Sequence, residues 1–341
     1  MPGLMQAAGP ALRILGSGCH HPARRLPSSD FDTQLGLAPG TSEAATGVAW
    51  RGVADTGETA SWMAARAAQA ALSAAGIGGD ALDAIVSTCA VMEQPIPCQA
   101  ALVQRALGLG DSGIPAFDVN ATCLGFLVAL DLVAAGIASG RYRRVLVVAS
   151  ELPSRGLRAD DPLTAPLFGD GAAALVLGAA APGEDSALLA WRMETYADSA
   201  DACRIRGGGT RIAPGDPTHR DIDPDVYRFE MDGPATFRLA GRRLPRLLER
   251  LLASAGVGLD AIDCVVPHQA SGGGLDRIVR ALRLPEARVV RILAEHGNQV
   301  AASLPHALHH AIVEGRLQRG QTCLLLGTGA GLSLAGAVLR Y

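Results

Sequence analysis

The sequence predicts an α/β protein made of two similar halves stacked as a layered α/β/α/β/α body. Two observations carry that prediction. Residues 72 to 86 (LSAAGIGGDALDAIV) overlay residues 252 to 266 (LASAGVGLDAIDCVV) without a gap at an offset of 180, and roughly half the pairs are identical, among them Gly76 with Gly256, Asp80 with Asp260 and Asp83 with Asp263. Apolar β-like runs also alternate with Ala/Leu/Arg-rich helical stretches, the pattern of mixed sheets covered by helices.

Each copy of the repeat reads as a helix end, a Gly-containing turn, a short acidic stretch and a buried strand. In chain order the strand-like runs are 84 to 88, 114 to 119, 145 to 150, 172 to 177, 264 to 266 and 323 to 326, with a further run after Gly331. A helix-like run (Leu124, Leu127, Val128, Leu132, Val133) follows Cys123, and the 180-residue offset sets Cys123 against Ser303 at the start of a second helix. The halves are expected at 1-180 and 181-341, the first carrying the cysteine discussed below and the second a histidine and an asparagine. Residues 22 to 59 and 198 to 225 are rich in turn formers and read as loops, the latter an exposed excursion.

With 341 residues, 49% hydrophobic and 18% charged, the chain has material for a large core. A net charge of -3 argues against nucleic acid as a partner, because backbone binding needs a dominant basic face. The first residues lack the charged and apolar regions of a leader, and no run reaches the ~18 apolar residues of a membrane span, so a cytoplasmic protein with no membrane partner is expected. Seven cysteines without a CxxC pair encode neither a disulfide framework nor a local zinc site. His306, His309 and His310 share a helix face, but no acidic partner or open-site pattern accompanies them; a solvated face is expected, and no metal site.

Three segments carry candidate chemistry: Asp118-Val-Asn-Ala-Thr-Cys123-Leu-Gly-Phe126, Val266-Pro-His268-Gln-Ala270 and Glu295-His-Gly-Asn298. A cysteine, a histidine and an asparagine are the parts of a covalent acyl-transfer site. Cys123 sits between a strand-like and a helix-like run, so its sulfur is expected at a helix N-terminus, where the macrodipole favours thiolate. Taken singly, His268 reads as a satisfied core histidine and Asn298 as a turn or cap residue. Gly327-x-Gly329-x-Gly331 does not encode a dinucleotide site, since no βαβ unit follows it.

With these segments, Phe168-Gly-Asp-Gly-Ala172, Met231-Asp-Gly233 with Phe237, His296-Gly-Asn-Gln-Val-Ala-Ala-Ser303 and Gly327-Thr-Gly-Ala-Gly331 complete an ordered set of motifs. The chain resembles the thiolase-superfamily condensing enzymes, most closely the β-ketoacyl-acyl-carrier-protein synthase III branch, over essentially its whole length. The resemblance implies a thiolase fold, a five-layered α/β/α/β/α sandwich of duplicated halves. It implies that Cys123 takes an acyl group as a thioester, and that His268 and Asn298 bind the malonyl carbonyl while carbon dioxide leaves. It also implies an oxyanion hole from the N–H groups of Cys123 and Ala330, and substrate contacts at Ile96, Met231, Gly233, Gly329 and Gly331. Asp170 is expected to be structural.

Departures from the family pattern shape the remaining expectations. The Trp and Arg that clamp the adenine of coenzyme A before the Thr46-Gly47 pair are missing; Trp50-Arg51 follow it instead, and a second family Arg is replaced near Pro162. Either a carrier-protein-bound donor or looser CoA recognition is expected, with no cofactor beyond the acyl-CoA or acyl-carrier protein substrate. Ile96 stands where an aromatic residue commonly caps the partner subunit's acyl tunnel, which suggests a longer or bulkier acyl group. Arg238, Arg242, Arg246 and Arg277, with Arg243, Arg250 and Arg280, form a basic set that would steer an acidic acyl-carrier protein. A homodimer is expected by resemblance, with residues 92 to 99 near the two-fold axis. The function expected first is decarboxylative condensation of an acyl starter with malonyl-acyl-carrier protein, in fatty-acid or specialised-metabolite synthesis. The alternatives are an acyltransferase or non-decarboxylative acyl-acyl condensing enzyme using the same thioester, and a non-catalytic partner subunit.

Overall fold

The computed structural model describes residues 9–219 and 222–341; residues 1–8, read above as lacking a leader, lie outside it, and so does the side chain of Phe237. In the first half, β1 (Arg13–His20) leads to a two-stranded ribbon of β2 (Arg25–Pro27) and β3 (Trp50–Gly52) that encloses helices α1 (Ser28–Leu35) and α2 (Thr41–Thr46). Then come α3 (Ala60–Ala75), β4 (Ala84–Ser87), α4 (Gln99–Ala106), β5 (Ala116–Asp118), α5 (Gly125–Ala138), β6 (Arg144–Glu151) and β7 (Gly171–Gly178). The second half runs β8 (Ala187–Thr195), β9 (Cys203–Ile205), β10 (Phe229–Met231), α6 (Gly233–Ala255), β11 (Cys264–Pro267), α7 (Gly272–Ala281), α8 (Leu293–His296), α9 (Ser303–Val313), β12 (Thr322–Gly329) and β13 (Ser333–Arg340).

The two main sheets have orders β1-β7-β6-β4-β5 and β8-β13-β12-β11. In both, the first two pairings are antiparallel and the next is parallel. The second sheet has only an isolated parallel bridge, Val265 with Val289, where the first has β5. The repeated residues do the same work twice. Gly76 and Gly256 end α3 and α6 at φ 67° and 68°, a left-handed C-cap that side chains resist. Asp83 accepts the Arg143 and Arg144 amides at 2.6 and 2.9 Å, and Asp263 accepts the Thr322 amide at 2.8 Å; each carboxylate pins the start of the neighbouring strand.

Strand alternation builds the layers. Val145 and Val147 of β6 face a central core with Leu127 and Leu130 of α5, Leu304 and Leu308 of α9, and Cys323 and Leu325 of β12. Leu146 and Val148 face outward onto Met63, Ala64 and Ala68 of α3. Leu324 and Leu326 likewise face Leu244, Leu247 and Leu251 of α6. Strands buried on both faces read as unbroken apolar runs, which is why their period of two was invisible in the sequence. Helices α5 and α9 thus form the middle layer of a five-layered α/β/α/β/α thiolase fold. Each large side chain buried there, such as Leu127 or Leu130, contributes about 1.5–3 kcal/mol.

Residues 22 to 59, expected to be loop-rich, contain α1, α2 and a ribbon. These elements are short, and the buried Asp32 organises them by accepting the Gly40 and Ser42 amides at 2.7 and 2.8 Å. Residues 198–219 and 222–225 are the irregular segment expected, made of 3-10 turns and β9. No helix among the described residues is long and apolar enough to cross a membrane.

Candidate active site

Cys123, His268 and Asn298 come together on one cavity of about 1370 Å³, whose lining includes Thr122, Glu151, Gly329 and Ala330. It opens at the carboxyl ends of β6, β11 and β12, so the first half supplies the sulfur and the second the imidazole and the amide. Cys123 precedes α5 and lines the cavity with Ala330, and the backbone N–H groups of these two residues, expected to form an oxyanion hole, are near enough to the sulfur to favour its charged form slightly. The helix N-terminus does not make the resting sulfur a thiolate. Burial, reinforced by the neighbouring Cys203 and Glu151, pushes the Cys123 thiol up to about 12; removing a charge from water outweighs a helix dipole.

Thr122, beside Cys123, has φ 50°, and so does Val300, two residues after Asn298. A β-branched residue in this left-handed region is strained. Both turns are held the same way: the Thr122 amide donates to Asn120 Oδ1 and the Val300 amide to Asn298 Oδ1, each at 2.9 Å. The internal repeat here therefore runs at an offset of 178 and sets Cys123 against Ala301, not Ser303. Asn120 and Asn298 are therefore a structural pair.

His268 follows β11, and burial holds its pKa down to about 4, so the ring is neutral; its Nδ1 has no hydrogen-bond partner. Gln269 locks the loop: its amide donates to the Pro267 carbonyl at 2.8 Å and accepts the Ile292 and Leu293 amides at 3.0 and 3.2 Å. Asn298 Nδ2 donates to the Ala270 carbonyl at 3.2 Å, leaving a second N–H for the cavity. Gly297 allows this placement, with φ 69° and ψ -175°, a conformation open essentially to glycine alone. A Cβ there would lie 2.9 Å from the Leu167 carbonyl oxygen and 3.0 Å from the Gly169 nitrogen. Gly297→Ala is expected to lower stability by about 1–3 kcal/mol and to shift Asn298; thermal melting and turnover of the variant check both effects.

Met231, Gly233, Gly329, Gly331 and Arg277 also line the cavity. Ile96 does not line it; its side chain is 84% exposed on the loop before α4. Arg238, Arg242 and Arg246 lie on the exposed face of α6, away from the lining and without an ion pair among the described residues, whereas Arg250 pairs with Glu194 and Arg243 stacks on Tyr196. Asp170 is structural, as expected: buried, it accepts the Ala54 amide and the Ser154 hydroxyl.

Sequence reasoning missed Glu151. It ends β6, fully buried at the cavity, and burial pushes its carboxyl up to about 8 despite a hydrogen bond from the Ala90 amide. One charged residue closing an apolar run was its only trace. The solvated face expected for His306, His309 and His310 is also overturned: His306 is fully buried, because β1 and the loop at α8 bring His21 and His296 against α9. Residues this remote could not be placed from helix spacing.

Models of the 3-oxoacyl-[acyl-carrier-protein (ACP)] synthase III family match residues 117–197, and of its C-terminal part residues 252–341. A β-ketoacyl-[acyl-carrier-protein] synthase III from Laribacter hongkongensis is 36% identical over 97% of this chain and 100% of its own length. The chain belongs to this family. Solved structures agree: the synthase III of Aquifex aeolicus superposes with a TM-score of 0.87 at 31% identity, covering 97% of this chain and 100% of the other. The priming β-ketosynthase of the R1128 polyketide pathway gives 0.85 at 29%, covering 99% of each. The synthase III assignment made from the motifs therefore holds, and the fold with it.

Proposed function

We propose that this condensing enzyme takes an acyl group from a thioester donor onto Cys123 and joins it to malonyl-acyl-carrier protein, giving a β-ketoacyl thioester and carbon dioxide. The observation that carries the proposal is that Cys123 and Ala330 meet His268 and Asn298 in the lining of a single cavity. In the first half-reaction the thiol loses its proton as sulfur attacks the thioester carbonyl, and the donor thiol leaves protonated. The two amides stabilise the tetrahedral oxyanion. In the second, the malonyl thioester loses carbon dioxide, the neutral His268 and Asn298 donate to the enolate oxygen, and the enolate carbon attacks the acyl-Cys123 carbonyl, freeing the sulfur. Neutral donors suit this step because they stabilise the oxyanion without quenching the carbanion by early protonation.

The donor is proposed to be carrier-bound or a loosely held CoA thioester. Trp50 lies under the Arg25 guanidinium, Arg51 is buried against Phe31, and neither lines the cavity. The outward face of Arg238, Arg242 and Arg246, with Arg277 at the cavity, is proposed to receive the acidic carrier protein. Arg242→Glu with Arg246→Glu is expected to raise KM for malonyl-carrier protein at least fivefold and to leave turnover of a malonyl-pantetheine substrate unchanged; steady-state kinetics on both substrates check this. A second copy of the chain is proposed to cover the apolar loop of Val91, Met92 and Ile96, exposed by 61%, 39% and 84%. Intact-protein mass after exposure to acyl-CoA and acyl-carrier protein panels, followed by malonyl-carrier protein, tests the whole reading. An adduct discharged as a β-ketoacyl product supports it; an adduct that malonyl leaves in place rejects the condensation.

A further inference from the structure

Five of the chain's eight histidines gather away from the catalytic cavity, where β1, α8 and α9 meet. The rings of His21, His296 and His306 lie 4.5–4.6 Å apart, centroid to centroid, and His310 lies 5.0 Å from His306 and 5.4 Å from His296. The ligand atoms of His296, His306 and His310 all lie within 4.8 Å of one another, and so do those of Cys19, His21 and His306. None of these residues lines the catalytic cavity.

The hydrogen bonds around the cluster set its nitrogens for coordination. Gln299 Nε2 donates to the Asp170 carbonyl at 3.2 Å, which orients its Oε1 to accept His306 Nδ1–H at 2.6 Å. The lone pair of His306 is therefore on Nε2, fully buried and without a partner. Glu314 holds His310 Nδ1 at 3.1 Å, again leaving Nε2 as the free donor. An imidazole whose second nitrogen is bonded to a carboxylate or amide oxygen is the usual form of a metal-bound histidine. His21 Nδ1 is also buried and unpartnered. His309 turns aside to the Ser17 hydroxyl at 2.9 Å.

We propose that His21, His296, His306 and His310 bind a borderline divalent transition-metal ion of the zinc, cobalt or nickel type in a closed, structural site. Imidazole nitrogens suit these ions, and metal–nitrogen bonds of about 2.0–2.1 Å require the cluster to contract modestly from its present spacing. The site lies behind the catalytic loop, since His296 and Gln299 flank Gly297 and Asn298. Its occupation ties that loop to α9 and β1, and supplies no chemistry to the reaction.

The test uses the untagged full-length chain, stripped by chelator and titrated with Co2+. One equivalent should bind, give the visible d–d bands of tetrahedral cobalt without a thiolate charge-transfer band, and raise the melting temperature; Zn2+ should displace the cobalt and bleach the bands. His310→Ala should weaken binding by about 100-fold or more, and Glu314→Ala, which removes only the partner of His310, by about 10-fold. Should His306→Gln fail to fold, these two less buried positions still decide. Cobalt that gives no bands and no melting shift, binding that survives His310→Ala, or a charge-transfer band naming Cys19 in place of His21 would overturn the assignment.

Discussion

Cys123→Ala is expected to fold, to gain no acyl mass from any thioester, and to lose condensing activity on the order of 10³-fold or more, as expected when a nucleophile acts as one unit with its partners. Circular dichroism and intact-mass spectrometry separate chemistry from folding. The wild-type sulfur carries a second expectation. Because burial pushes the thiol up to about 12, its alkylation by iodoacetamide should rise about tenfold per pH unit from 7 to 10 without a plateau. A plateau near pH 7 would show that the resting sulfur is a thiolate after all, and would return the weight to the helix N-terminus. The proton is instead expected to leave during attack, in the step where the Cys123 and Ala330 amides meet the developing charge.

His268→Ala and Asn298→Ala should each keep acylation of Cys123 within a few fold and slow malonyl decarboxylation by about 10²–10³-fold, the usual cost of losing one oxyanion donor. The pH profile distinguishes this role from that of a charged histidine. Burial lowers the His268 pKa from 6.5 to about 4, so the decarboxylation rate of the acyl-enzyme should stay flat from pH 8 to about 5 and change only near 4. A break at 6.5 would contradict a neutral donor. Stability follows the same sign: the contribution from burying His268 uncharged is complete above pH 6.5 and is lost as pH falls from 6.5 toward 4, because the unfolded chain takes up the proton first. Brief exposure to each pH before the rate is read keeps the two effects apart.

The fold class, and the three residues that the structure gathers on one cavity, were legible in the chain itself. For the fold, local signals sufficed: the turn glycines and acidic residues repeat at a fixed offset because each half needs the same C-cap and the same strand anchor, Gly76 and Asp83 in one, Gly256 and Asp263 in the other. Cys123, His268 and Asn298 stand in dense motifs because their neighbours are constrained too; Gln269 and Gly297 hold the loops that present them. What the tertiary structure alone decided are properties that depend on groups far along the chain. The state of the Cys123 sulfur is set by burial that a helix N-terminus in isolation would not suffer. Glu151 reaches the cavity only because β6 ends there. His306 looked solvated until β1 and α8 closed over it, turning a helix face into a buried imidazole cluster. Backbone conformation follows nearest neighbours, whereas desolvation and coordination are sums over everything that packing brings near.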